Sequence, residues 1–230
     1  MADRTTLDNG VVFHRQLGIF DPSQHQMQVT IIGAGAIGSY VALNMAKVGF
    51  DRIKVWDHDI VETHNQPGQL YGLDDRGFLK VERLRKIILA LANVDIDAIP
   101  NKWEGQDFES GIVVSAVDSM EVRKQIFAKI RMKMAIKLFL DGRIGGQDVR
   151  LFAVRPTEIS DLDRYVATLH TDADAVELPC TERSVSDINF LVASMMIRQT
   201  RTYLTDGDEG FVPEIAYNAK MCQFIPMGVR

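Results

Sequence analysis

The sequence predicts an α/β fold: a parallel sheet with helices on both faces, continued by antiparallel strands in the C-terminal half. Three observations carry this. A short β-branched run, Val29 to Ile32, enters the segment Gly33-Ala34-Gly35-Ala36-Ile37-Gly38 and then a stretch with helical periodicity. Strand-like and helix-like apolar runs alternate from there to Asp141, the pattern of parallel strands joined by helical crossovers. Beyond Gly145-Gly146 the pattern becomes a strict alternation at Val149, Leu151 and Ala153, the mark of antiparallel strands.

Residues 1–26 are polar and mixed apart from Val11-Val12-Phe13; they read as an arm or short helices with a possible dimer contact, and 27–230 as one domain. Val29 to Ile32, bounded by glycine, suits a central strand buried on both faces. Tyr40, Val41, Leu43, Met45 and Val48 then fall at helical spacing, and Gly49 is placed to end that helix in the left-handed conformation. Ile53 to Trp56 is the second strand and completes a βαβ unit. Asp59 to Gly77 is polar and rich in turn residues, and loops of that length in a compact domain are often functional. A helix follows with Leu79, Leu84, Ile87, Ile88 and Leu91 on one face, then a weak third strand at Ile96 and Ile99. Ile112 to Ala116 is a buried fourth strand leading to Asp118, Val122 to Ile130 a helix, and Leu138 to Asp141 the next strand. Residues 155–183 show little periodicity; a helix from about Ser186 to Leu204 and short strands near 211–215 and 223–225 complete the chain.

At 230 residues, 46% apolar and 25% charged, the chain has ample material for one large core. A net charge of −5 disfavours a nucleic-acid surface, which carries a basic excess. No apolar run approaches the ~20 residues of a membrane span. Met1 to Thr6 lacks the apolar core of a secretory signal. Two distant cysteines, Cys180 and Cys222, fit a reducing compartment, so a cytoplasmic location is expected; Cys222, in an apolar stretch, is expected to pack.

The glycine segment is where chemistry begins. Gly33 allows the tight turn, Gly35 lets backbone approach phosphate, and Gly38 lets the helix pack on the sheet, as in Rossmann-like nucleotide sites. The helix N-terminus offers free N–H groups to the phosphates. Asp57, closing the second strand, is placed to accept hydrogen bonds from ribose hydroxyls. These features suit both an NAD(P)-dependent oxidoreductase and an enzyme that cuts its nucleotide. His58 and His64 have no third ligand at a convincing spacing, so metal binding by them is not expected.

The following segments narrow this. Asp57-His58-Asp59-Ile60-Val61, His64-Asn65-Gln66-Pro67-Gly68-Gln69, Gly77-Phe78-Leu79-Lys80 and Ser115-Ala116-Val117-Asp118-Ser119 succeed one another in register. In this the chain resembles the ThiF/MoeB/HesA family of ubiquitin-activating-enzyme-like adenylyltransferases, from about residue 13 to residue 205. The resemblance implies adenylation, with ATP and Mg²⁺, of the C-terminal carboxylate of a ubiquitin-like or sulfur-carrier-type protein or peptide ending in glycine. It implies that Asp57 holds ribose, that Asn65 and Lys80 contact the triphosphate, that Asp118 holds Mg²⁺, and that Asp59 is the second acid of the pair.

The chain also departs from the family. Gly68 stands where the family carries an arginine, which implies either a weakened, partner-binding subunit or compensation from elsewhere. The segment Phe13-His14-Arg15-Gln16 resembles the one that reaches into the partner's site in the family, so a homodimer with Arg15 acting in trans is expected. Two cysteines cannot build the family's four-cysteine zinc site, so no structural zinc is expected. Cys180, beside Arg183, matches the place of a reactive cysteine in ThiF-like proteins. Arg143, just past the last parallel strand, matches a segment bordering the groove for the partner's tail; a structural salt bridge is its simpler role.

Overall fold

The computed structural model describes residues 12–170 and 185–227. One eight-stranded sheet runs β3-β2-β1-β4-β5-β6-β7-β8, from β1 (Val29–Ile32), β2 (Ile53–Trp56), β3 (Asp97–Ile99), β4 (Gly111–Ser115), β5 (Ile136–Gly145), β6 (Asp148–Val154), β7 (Glu214–Asn218) and β8 (Gln223–Met227). Pairing is parallel from β3 to β5 and antiparallel from β5 to β8. β5 is the hinge of this architecture. Its first part, Ile136 to Asp141, pairs with β4, and its continuation to Gly145 runs on into the hairpin with β6. The chain winds outward from β1 to β3 and then returns to β4 on the other side of β1. Ligands in open α/β sheets bind at that reversal, beyond the carboxyl ends of the strands.

Helices α1 (Gly38–Val48), α2 (Lys80–Ala92), α3 (Met120–Ile130), α4 (Ile159–Val166) and α5 (Ser186–Asp206) cover both faces. Alternating strand residues supply two cores. Ile31, Val55, Val114 and Leu140 face α1, α2 and α5, while Ile32, Val113, Phe139 and Phe152 face α3 and α4. All four residues of β1 are buried, and each fully buried aliphatic side chain contributes about 1.5–3 kcal/mol. Phe20 belongs to the first core and stacks on His25, and Gln16 Nε2 donates to the Val48 carbonyl at 2.9 Å, so residues 16–25 lie against the end of α1.

Helix ends follow local chemistry. Gly49, at φ +109°, lets its own N–H and that of Phe50 close on the Ala46 and Met45 carbonyls. Ser119 accepts the Val122 N–H at 3.3 Å and caps α3.

Four expectations need correction. Residues 159–166 form α4, whose short amphipathic repeat buries Leu162 and Tyr165 while leaving Ile159 exposed, so its apolar signal is divided between core and surface. In α2 the buried face is Lys80, Val81, Leu84 and Ile88; Leu91 is exposed and Leu79 lies outside the helix. β7 begins at Glu214 rather than at Phe211, because Phe211 and Pro213 belong to the turn that precedes it. Cys222 does not pack: it is exposed in the β7–β8 turn at φ +51°.

Candidate functional site

The site is assembled where β1, β2 and β4 end. Gly33, at φ +98°, takes the chain out of β1, and a Cβ there would stand 2.5 Å from the Ala116 carbonyl oxygen. At Gly38 a Cβ would stand 1.8 Å from the Gly33 carbonyl oxygen, so both positions require glycine for close approach of backbones. Gly35 is different. A Cβ there would meet nothing within 4 Å, so its missing side chain leaves space for a ligand. Among the described residues, no hydrogen bond takes up the N–H groups of Gly35 to Gly38. These are the open donors of a helix N-terminus, with the partial positive charge that favours a phosphate.

Asp57 clamps this turn. One carboxylate oxygen accepts the Ala34 N–H at 2.7 Å and the other the Asp59 N–H at 2.8 Å. A carboxylate has about four acceptor positions, so capacity for ribose hydroxyls remains. The strand end and the glycine turn are thereby one unit.

Lys80 is brought in by backbone pairing. The loop leaving β2 meets its own far end through the Ile60–Leu79 antiparallel bridge, with Val61 N–H on Phe78 O and Gly77 N–H on Val61 O, both at 2.8 Å. That places the buried Lys80 ammonium 2.8 Å from Asp59 Oδ2. Burial works against the Asp59 carboxylate, but the bond and charge of Lys80 outweigh it and hold its pKa below the ordinary aspartate value. A buried ammonium whose one ionic partner among the described residues is a half-exposed carboxylate (52% side-chain exposure) can exchange that partner for phosphate.

Asn65 is buried in a short turn, where its Oδ1 accepts the Glu62 N–H at 2.8 Å. Gly68, where an arginine was expected, accepts the Asn189 Nδ2 of α5 on its carbonyl at 2.6 Å. Leu70 N–H meets Ser39 Oγ at 3.3 Å, and Tyr71 donates its hydroxyl to the Ala34 carbonyl at 2.7 Å. The loop is thus fastened to α1, α5 and the glycine turn.

Asp118 lies three residues past β4, exposed, and its carboxylate makes no hydrogen bond or ion pair with a described residue. Its backbone is held instead. Arg123 on α3 donates Nη1 to the Asp118 carbonyl at 3.3 Å and Nη2 to that of Val117. The same guanidinium bonds Asp141 Oδ1 at 3.0 Å, while Arg143 and the Tyr165 hydroxyl share Oδ2 at 2.8 and 3.0 Å. Arg143 therefore sits in a structural salt bridge, capped by Thr168 and lying over the Phe152 ring. Burial opposes the Arg143 charge, but Asp141 outweighs it and raises its pKa. Sequence reading missed Arg123 and Tyr71. Both act through long-range contacts, Arg123 on Asp141 and Tyr71 on Ala34, which carry no local sequence signal.

Arg15 is exposed on the chain's own surface. Cys180 and Arg183 lie outside the described residues. His58 and His64 pair with neighbouring carboxylates, at 3.6 and 3.1 Å, rather than with each other. Asp57, His58 and Asp59 bring donor atoms within 4.8 Å of one another, and Asp118 is not in that group. A separate cavity of about 420 Å³, lined by Met195, Arg198, Val212, Ile215 and Phe224, includes none of the loops above and holds no cluster of acids or bases.

No helix of the described residues is long and apolar enough to cross a membrane. The ThiF family model matches residues 15–226. The chain is similar to ubiquitin-like modifier-activating enzyme 5 of Aedes aegypti, at 24% identity over 89% of this chain and 57% of that protein. It is 31% identical over 118 residues to the NEDD8-activating enzyme E1 catalytic subunit of Dictyostelium discoideum, covering 47% of this chain and 26% of that one. It therefore spans little more than half the length of the first relative. Among solved structures, PaaA superposes with a TM-score of 0.75 at 14% identity, over 98% of this chain and 75% of PaaA. Escherichia coli MccB with AMPCPP and MccA gives 0.71 at 15%, over 99% of this chain and 73% of MccB.

Proposed function

The chain belongs to the ThiF family, and from that premise we propose that it adenylates the C-terminal carboxylate of a peptide or of a ubiquitin-like or sulfur-carrier-type protein. The observation that carries this is the meeting, at one end of the sheet, of an open glycine turn whose N–H groups no described residue takes up and a buried lysine on a replaceable partner. A carboxylate oxygen of the substrate attacks the α-phosphorus of ATP, the α–β phosphoanhydride bond breaks, and pyrophosphate leaves with an acyl adenylate as product. Such a displacement needs alignment and neutralised charge more than covalent help. The Gly35–Gly38 amides seat phosphate, Asp57 receives the ribose, and Lys80 turns from Asp59 to the triphosphate beside Asn65. Asp118, a hard carboxylate uncommitted among the described residues, is the residue that would hold Mg²⁺, which supplies further charge neutralisation when bound. The ThiF match supports this chemistry over hydride transfer. MccB, a neighbour in fold, has been crystallised with ATP and with MccA.

No side chain at Gly68 offers a cation to the leaving pyrophosphate, so Arg15 of a second copy, in a cytoplasmic homodimer, takes that part. Cys180 is the candidate acceptor for a thioester or persulfide-transfer step: in the first its thiolate attacks the acyl carbon and the acyl–phosphate bond breaks with release of AMP, and in the second it takes sulfane sulfur from an existing persulfide donor, whose thiolate leaves. The test is ATP–pyrophosphate exchange in the presence of a carrier-type protein ending in Gly-Gly. Exchange that falls by two or more orders of magnitude in Arg15→Ala supports action in trans; equal exchange refutes it. ATP binding without exchange would favour the second reading, suggested by Gly68, of a partner-binding subunit.

A further inference from the structure

Tyr71 lies outside every segment that carries the family resemblance, yet it touches the centre of the site. It is 3% exposed, and its hydroxyl donates to the Ala34 carbonyl at 2.7 Å. On the other side of the same residue, the Ala34 N–H is held by Asp57. The Ala34–Gly35 peptide is trans, so its C=O and N–H point in opposite directions. With the carbonyl turned in to Tyr71, the Gly35 N–H is turned away from it. That N–H has no acceptor among the described residues, and the position of a Gly35 Cβ is empty.

We propose that Tyr71 is a positioning residue for phosphate binding: its hydroxyl fixes the Ala34–Gly35 peptide plane so that the Gly35 N–H faces the bound phosphate. The inference rests on the ATP reading above. Three carboxylates, Asp57, Asp59 and Asp75, lie around the phenol and, after burial itself, keep it protonated. The hydroxyl is therefore a donor throughout the neutral range. A phenylalanine would fill the same volume and leave the peptide plane unset, so Tyr71→Phe removes orientation and spares packing.

The experiment titrates wild type, Tyr71→Phe and Tyr71→Leu with MgATP by calorimetry, with adenosine by ligand-observed NMR, and records the melting temperature of each. In Tyr71→Phe the MgATP dissociation constant is expected to rise about five- to tenfold, the scale of one lost hydrogen bond. Adenosine, which has no phosphate, is expected to stay within about twofold. Tyr71→Leu, which also loses the ring, is expected to weaken both and to melt lower. Equal weakening of MgATP and adenosine in Tyr71→Phe, or no weakening of either, overturns the proposal alone. A wild-type chain that takes up neither ligand overturns the adenylation reading and this inference with it.

Discussion

Neutralising Asp141 is the most informative perturbation of the scaffold beneath the site. Its carboxylate is fully buried and is the common anion of Arg123 at 3.0 Å and Arg143 at 2.8 Å. In Asp141→Asn two guanidinium groups, with side chains 9% and 16% exposed, face each other with no anion between them. Breaking a buried pair in this way costs about 3–5 kcal/mol, a large share of the roughly 5–15 kcal/mol that holds a domain together. Arg143→Met is milder, because the Arg123–Asp141 pair stays balanced. Besides its ion pair with Asp141 at 2.8 Å, whose Oδ2 keeps the Tyr165 hydroxyl, it loses contact with the Phe152 ring and two hydrogen bonds to Thr168, at 3.0 and 3.2 Å. Those bonds contribute about 0.5–1.5 kcal/mol each. Urea denaturation should place the Asp141→Asn midpoint lower by on the order of 1–2 M, and Arg143→Met by less. Arg123 also fixes the Val117 and Asp118 carbonyls, so pyrophosphate exchange should fall further in Asp141→Asn than in Arg143→Met. A cost below about 1 kcal/mol for Asp141→Asn, or the reverse order of the two variants, would refute the account of Asp141 as the shared anion of this network.

Two glycines in one turn should respond oppositely. Gly33→Ala meets both a positive φ and the Ala116 carbonyl, and is expected to destabilise by about 2 kcal/mol or more in a thermal melt. Gly35→Ala should melt like wild type, since its Cβ meets nothing, and lose ATP binding in a calorimetric titration. The pH dependence follows from Tyr71 and Tyr165, whose phenols burial pushes well above 10, with Asp57 and Asp141 respectively adding to it. Their pKa values are raised in the folded state, so the stability they contribute is fully present below about pH 10 and is lost as pH rises through the folded values. Urea midpoints should accordingly fall on the alkaline side, and Tyr165→Phe should flatten that fall.

The parallel half of the sheet was legible because its strands are short runs buried on both faces and its turns carry glycine. Val29–Ile32, Ile53–Trp56 and the C-cap at Gly49 follow directly from those signals. The helix over 159–166 was not legible, since two core residues in one short amphipathic segment do not make a periodic stretch. The start of β7 at Glu214 was misplaced because Phe211, though buried, packs from a turn. In the site, Asp57, Asn65 and Asp118 lie on loops that follow the carboxyl ends of strands, and Lys80 opens α2. What joins them escaped sequence reading because hydrogen bonds across 37 and 18 residues, Tyr71 to Ala34 and Arg123 to Asp141, leave no local pattern.

The glycine turn is gripped from two sides, its Ala34 N–H by Asp57 and its Ala34 carbonyl by Tyr71. A nucleotide arriving at such a turn finds donors already aimed. The entropy of ordering the turn was spent during folding and is not charged again on binding. Association should then be governed by diffusion and charge, with little of the slow phase that accompanies a loop closing over its ligand.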